Sequence, residues 1–234
     1  MSLLRIKGIS KHYKKKTALF PFSIEISEGE CIALCGGNGA GKSTILNILA
    51  GISKPSEGSV VLNDIDMASQ RIQYVSHIGY MPDEFNAQGE MSVEEFLLFY
   101  ASLRAVSKER VDEMIETLGL TDKRKDHVKS LSKGMRQRLL FGQAWLDEPD
   151  LMILDEPTNG LDPYWINEFI ELIRQIKQKG TMIIFSTHMM DVAADTADRV
   201  LFIEDGKLSA TLENDFSNVS SFMQKLIKMY RRQD

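Results

Sequence analysis

Apolar residues along this chain follow two rhythms. Short, nearly unbroken runs at Cys31–Cys35, Leu151–Leu154 and 181–186 read as strands buried on both faces, and shorter apolar stretches at 3–9, 22–26, 60–62 and 78–81 add further strands. At Ser92 the period changes to that of a helix. Val93, Phe96, Leu97, Tyr100 and Leu103 share one face, with Ser92 and Glu95 spaced as a capping box; Val111, Met114, Ile115 and Leu118 make a second amphipathic helix that Gly119 can end. The spacing thus predicts a helical lobe over 89–147, set between strands. A long helix over about 163–179 follows, with Asp162 as N-cap, Pro163 in the first turn and Gly180 past its end, and then a hairpin turning at Asp205-Gly206. Strands alternating with helices predict an α/β fold: a parallel sheet covered on both faces, with its ligand at the strands' carboxyl ends. Near the end, Val219, Phe222, Met223, Leu226, Ile227 and Tyr230 form an apolar stripe beside Lys225, Lys228, Arg231 and Arg232, so 217–232 reads as an amphipathic helix. Its stripe suits docking on its own domain, or a partner or membrane face.

Composition narrows the classes. At 234 residues, 43% hydrophobic and 26% charged, the chain can bury one sizeable globular core. A net charge of -5 carries no polyanion-binding signature, so nucleic acid is not an expected partner. No apolar run reaches the length of a membrane span, and Arg5, Lys7 and Lys11 stand where a signal peptide needs an apolar stretch, so a soluble cytosolic protein is expected. The two cysteines, Cys31 and Cys35, fall on one strand face and read as small buried side chains.

The chemistry starts at Gly36-Gly37-Asn38-Gly39-Ala40-Gly41-Lys42-Ser43-Thr44, a G-x-x-x-x-G-K-[ST] segment directly after a buried strand. Its glycines let backbone N–H groups curl around a nucleotide phosphate; Lys42 reaches the β- and γ-phosphates, Ser43 ligates Mg2+, and a helix start aims its positive end at the same charge. Asp155 and Glu156 sit at the carboxyl end of a second apolar strand, suited to a Mg2+ hydration shell and to accepting a proton from the attacking water, respectively. Leu131-Ser132-Lys133-Gly134-Met135-Arg136-Gln137 places Ser132 and Gly134 at a helix N-terminus, a further anion site.

Together with Asp155-Glu156-Pro157-Thr158-Asn159-Gly160-Leu161-Asp162 and Ser186-Thr187-His188, these segments occur in the order and spacing of the ATP-binding subunits of ABC transporters, and the chain resembles that family over about 3–211. It looks most like the branch that serves separately encoded ABC-2-type permeases. The resemblance implies a P-loop NTPase core with a parallel sheet over 1–88 and 148–211, an N-terminal antiparallel β subdomain, a helical signature lobe over 89–147 and a C-terminal helix over 212–234. It implies ATP and Mg2+ as cofactors, and a head-to-tail dimer with a second copy or a homologous subunit, in which Ser132 and Gly134 contact the γ-phosphate held by the other chain's Lys42. His188 then touches the γ-phosphate and holds Glu156 and water, Tyr13 stacks on adenine, and the working place is the cytoplasmic face of the cell membrane beside an integral permease.

Three positions depart from the family pattern. Gly37 stands where many relatives have proline, Lys133 and Met135 replace a glycine and a glutamine of the commonest signature, and Asp83 occupies the place of a glutamine that senses Mg2+ and the reacting water. A carboxylate at 83 can ligate Mg2+ directly. Two other functions remain open on the sequence: a non-transport ABC ATPase, which generally carries two cassettes or a long coiled-coil insertion, and a low-turnover regulatory module. Intact Lys42, Asp155, Glu156 and His188 argue against the latter.

Overall fold

In a computed structural model that describes residues 2–14, 16–83 and 90–231, two sheets enclose one core layer and helices cover the second sheet from the other side. β1 (Leu3–Tyr13) and β2 (Lys16–Ser27) pair antiparallel. β3 (Cys31–Cys35) enters the second sheet, and after α1 (Lys42–Leu49) the chain returns through β4 (Glu57–Leu62) and β5 (Ile65–Asp66) to complete the first, in the order β2-β1-β4-β5. α2 (Arg71–Ser76) leads into β6 (Ile78–Met81), and α3 (Val93–Arg104), α4 (Lys108–Thr117) and α5 (Lys133–Trp145) follow. The α/β alternation then runs β7 (Leu151–Leu154), α6 (Pro163–Gln178), β8 (Met182–Ser186), α7 (Met190–Thr196) and β9 (Arg199–Glu204), before β10 (Lys207–Glu213) and α8 (Val219–Tyr230). The second sheet has the order β10-β9-β3-β8-β7-β6, parallel throughout except for β10, which closes the edge as the return arm of a hairpin.

The unbroken apolar runs are explained by burial on both faces. In β3, Cys31, Ala33 and Cys35 join the cluster on the helical side while Ile32 and Leu34 join the cluster beneath the antiparallel sheet. The same alternation sorts Met152 and Leu154 from Leu151 and Ile153, and Ile183 and Phe185 from Met182 and Ile184. Each fully buried aliphatic side chain contributes about 2 kcal/mol of transfer free energy, so a polar residue at any of these positions would break the stack. Burial also pushes both thiols up, Cys35 to about 12 against the opposing pull of Lys42, which makes the cysteines packing residues in this fold.

The helical lobe does not have a core of its own. Val93, Phe96, Leu97, Val111, Met114 and Ile115 belong to the same cluster as the upper faces of β3, β7 and β8. α5 lies directly on β6, so close that a Cβ on Gly79 would stand 1.8 Å from the carbonyl oxygen of Ala144; only glycine permits the approach. The predicted capping box is formed, Ser92 Oγ accepting from Glu95 N and a Glu95 carboxylate oxygen accepting from Ser92 N, and Asp162 caps α6 by accepting from Trp165 N.

Two expectations shift, and one open alternative closes. β1 and β2 run well past the apolar positions because polar residues as far as Tyr13 and Lys16 still pair, with register shifts that twist the ribbon. Leu103 lies at the edge of the α3 stripe near the end of the helix and is 64% exposed. The C-terminal stripe docks on its own domain: Phe222 and Leu226 are buried in the cluster that holds Val192 and Ala193 of α7. The lobe boundary expected at 88–89, and Arg232, lie outside the described residues.

Candidate functional site

The carboxyl ends of β3 and β7 meet at one cleft of about 450 Å³, with the end of β8 bonded behind it through Ser186 and Asp155. Residues 38–44 form one wall, Asp83, Asp155 and Glu156 face them, and Lys16, Thr17, Ala18, Asp205 and Gly206 complete the rim. The loop leaves β3 through Gly36, whose φ of +151° is open to glycine alone, and enters α1 through Gly41 at φ 110° with no side-chain cap. The first N–H groups of α1 therefore point into the cleft with the positive end of the helix dipole behind them. Lys42, 8% exposed, turns its ammonium back onto the loop and donates to the carbonyls of Gly36 at 2.7 Å and Gly37 at 3.2 Å. A buried cation held by neutral carbonyls at the mouth of an anion-binding loop has a donor set that fits a phosphate.

The opposite wall is acidic and ordered by hydrogen bonds. Asp155, nearly buried at the end of β7, accepts from Ser186 Oγ at 2.6 Å. Glu156 adopts φ 47°, and its carboxylate oxygen Oε2 lies 2.9 Å from His188 Nδ1, so with the proton on Nδ1 His188 donates to it. Asp83 accepts from Asn159 Nδ2 at 2.8 Å. The concentration of negative charge reaches the neighbouring phenol: burial first, then Asp155 and Asp83, push Tyr80 up to about 12, and its neutral hydroxyl donates to Asn47 Oδ1 at 3.1 Å. Among the described residues no group of three or more His, Cys, Asp or Glu side chains could hold a metal by itself. The Ser43 hydroxyl and the Asp155 carboxylate line the same cleft, oxygen donors of the kind that leave part of a divalent ion's shell to phosphate oxygens.

The structure brings Asn38, Gly39, Ala40, Gly41, Lys42, Ser43, Thr44, Asp83, Asp155 and Glu156 together, with His188 attached through Glu156. Tyr13 stands at the tip of β1, 54% exposed, opposite Lys16 in the ladder; its ring has Lys11 Nζ 5.3 Å from the centroid and leaves apolar surface beside the cleft. Ser132 and Gly134 do not reach the cleft. Ser132 caps α5 by accepting from Met135 N, and Gly134 packs against the turn after Glu156, where an added Cβ would lie 2.6 Å from the Gly160 carbonyl oxygen. Sequence reasoning missed the rim at Lys16, Thr17 and Ala18, and read Asp205-Gly206 only as a hairpin. Gly206 N in fact donates to the Ala40 carbonyl at 2.8 Å, pinning the phosphate loop to the β9–β10 turn.

The family model described as ABC transporter matches residues 19–159. The lantibiotic transport ATP-binding protein SrtF of Streptococcus pyogenes is 34% identical over 215 residues, covering 92% of this chain and 93% of that one. The linearmycin resistance ATP-binding protein LnrL of Bacillus subtilis is 31% identical over 212 residues, 89% of this chain and 68% of the relative. Among solved structures, an ATP-binding subunit of an ABC transporter superimposes with a TM-score of 0.85 at 28% identity, covering 96% of this chain and 99% of its own.

Proposed function

The chain belongs to the ABC transporter family as an ATP-binding, ATP-hydrolysing subunit, and on that premise we propose that it powers a separate membrane permease, with Glu156 as the base of the ATPase reaction. One observation carries the assignment. Glu156 lines the phosphate-loop cleft while one of its carboxylate oxygens, Oε2, is held by His188, which orients the group and leaves the other oxygen to accept a proton from water. Lys42 exchanges its loop carbonyls for the β- and γ-phosphates, and the N–H groups of 38–44 surround them. Ser43 and Asp155 would hold Mg2+, with Asp83 within the same cleft, and a bound ion would supply positive charge beside the phosphates. His188 meets the γ-phosphate through its other ring nitrogen, and Tyr13 offers its exposed face to adenine.

The position of α5 supports a two-chain site. Its N-terminus, with Ser132 and Gly134, lies apart from its own cleft, so these groups serve an ATP held by the partner's Lys42 in a head-to-tail dimer. Among the described residues no helix is long and apolar enough to cross a membrane, and a permease on which this subunit sits at the cytoplasmic face supplies the transport path. The ordered His188–Glu156 pair favours turnover over the regulatory-module reading.

Glu156→Gln keeps the shape and removes the proton acceptor. It is expected to retain ATP binding, to lower turnover about 100-fold or more, and to accumulate an ATP-bound dimer by light scattering. Hydrolysis at the wild-type rate would refute Glu156 as the base. Mixing Lys42→Ala with Ser132→Arg chains should restore activity in part, since one heterodimer site keeps both intact halves; no recovery would refute the two-chain site.

A further inference from the structure

The main chain of Glu156 is gripped from both sides by buried side chains that belong to other elements. Its N–H donates to Ser186 Oγ at 2.8 Å, and its carbonyl accepts from Gln137 Nε2 at 3.0 Å. Ser186, fully buried at the end of β8, spends its own proton on Asp155 Oδ1, so one hydroxyl oxygen fixes both residues of the acidic pair. Gln137 is 4% exposed and reaches across from α5, a polar side chain on an otherwise apolar face of that helix. Between these two grips Glu156 sits at φ 47°, a left-handed conformation that a non-glycine residue holds only when its surroundings impose it. Return to a right-handed or extended backbone would turn the N–H away from Ser186 and the carbonyl away from Gln137. The same rotation would carry the carboxylate off His188.

We propose that Ser186 and Gln137 are positioning residues for the ATPase reaction: they clamp the backbone of Glu156 in the conformation that aims its carboxylate into the cleft. Neither touches the phosphates. Ser186 acts through the Glu156 N–H and the Asp155 carboxylate, and Gln137 acts through the Glu156 carbonyl alone. The inference rests on the reading of Glu156 as the base.

The test compares saturating and single-turnover ATPase rates of the full chain with the affinity for a fluorescent ATP analogue. Ser186→Ala and Gln137→Met are expected to lower kcat about 10-fold or more while nucleotide affinity stays within about 3-fold, because the phosphate loop is untouched. Ser186→Cys, with a weaker donor and acceptor, should fall between wild type and Ser186→Ala. A double-mutant cycle separates positioning from general damage: in a Glu156→Gln background, Gln137→Met should cost nothing further. The same 10-fold loss in that background would overturn the clamp, as would a wild-type kcat in Gln137→Met beside an inactive Glu156→Gln. A fully active Glu156→Gln would instead remove the base assignment, and the clamp with it. Should Ser186→Ala not fold, Gln137→Met and Ser186→Cys carry the comparison.

Discussion

Two adjacent glycines of the phosphate loop should respond in opposite ways to the same methyl group. At Gly36 a Cβ would stand 2.2 Å from the carbonyl oxygen of Ile203 and 3.3 Å from the Ala40 side chain, on a backbone at φ +151°. Ordinary contact begins near 3.4 Å, so either β9 or the loop has to yield by about 1.2 Å. β9 cannot yield easily, because it is bonded to β3 on one side and β10 on the other. Overpacking costs about 1–3 kcal/mol and a disfavoured φ a similar amount, which gives about 4 kcal/mol for Gly36→Ala. For a domain of this size that is a fall in Tm of about 12 °C. Gly37 has a negative φ and nothing within 4 Å of the added carbon, so Gly37→Ala should be neutral or stabilising by up to about 1 kcal/mol through the unfolded chain. Thermal unfolding without nucleotide reads both, and ATP affinity should fall only for Gly36→Ala, where the added carbon forces the loop that holds Lys42 to shift. Tm values within about 2 °C of each other would refute the steric argument.

Other positions give sharper separations of role. Asp83→Asn keeps an acceptor for Asn159 Nδ2 but removes a charge from the cleft, so the Mg2+ concentration needed for half-maximal ATPase rate should rise while ATP affinity of the subunit changes little; superimposable Mg2+ titrations would make Asp83 a passive wall residue. Leu226→Ala empties a fully buried site between α8 and α7 and should cost about 3 kcal/mol by denaturant unfolding with ATP binding intact; an unchanged midpoint would mean that α8 does not contribute to the stability of the fold.

Much of the architecture was legible because its signals are local. Unbroken runs such as Leu151–Leu154 can only be satisfied by burial on both faces, and the caps at Ser92 and Asp162 depend on residues within one turn. The phosphate loop and the acidic pair were legible for the same reason: glycine spacing and strand ends encode their own backbone. The rim of the cleft was not. Lys16 and Thr17 reach it because the β1–β2 ribbon twists over the loop, and Gly206 reaches it through a hydrogen bond to Ala40, contacts that depend on how two sheets stack and leave no periodicity in the chain. Ser186 and Gln137 were visible as letters of recognised segments, yet their task lies in bonds to residue 156 across 30 and 19 positions of sequence.

The turn that follows Glu156 would couple the two halves of the proposed two-chain site. Asn159 binds Asp83 at the cleft, and one residue on the Gly160 carbonyl is packed against Gly134 at the start of α5, with Lys133 over Gly160 itself. α5 in turn reaches back through Gln137 to the Glu156 carbonyl, closing a loop of contacts around the base. A γ-phosphate arriving at Ser132 from a second chain would therefore press on a helix that already holds this chain's own Glu156. Displacement of α5 cannot leave the turn and the base both undisturbed, because Gly134 has no slack against Gly160 and Gln137 is already at hydrogen-bonding distance from Glu156.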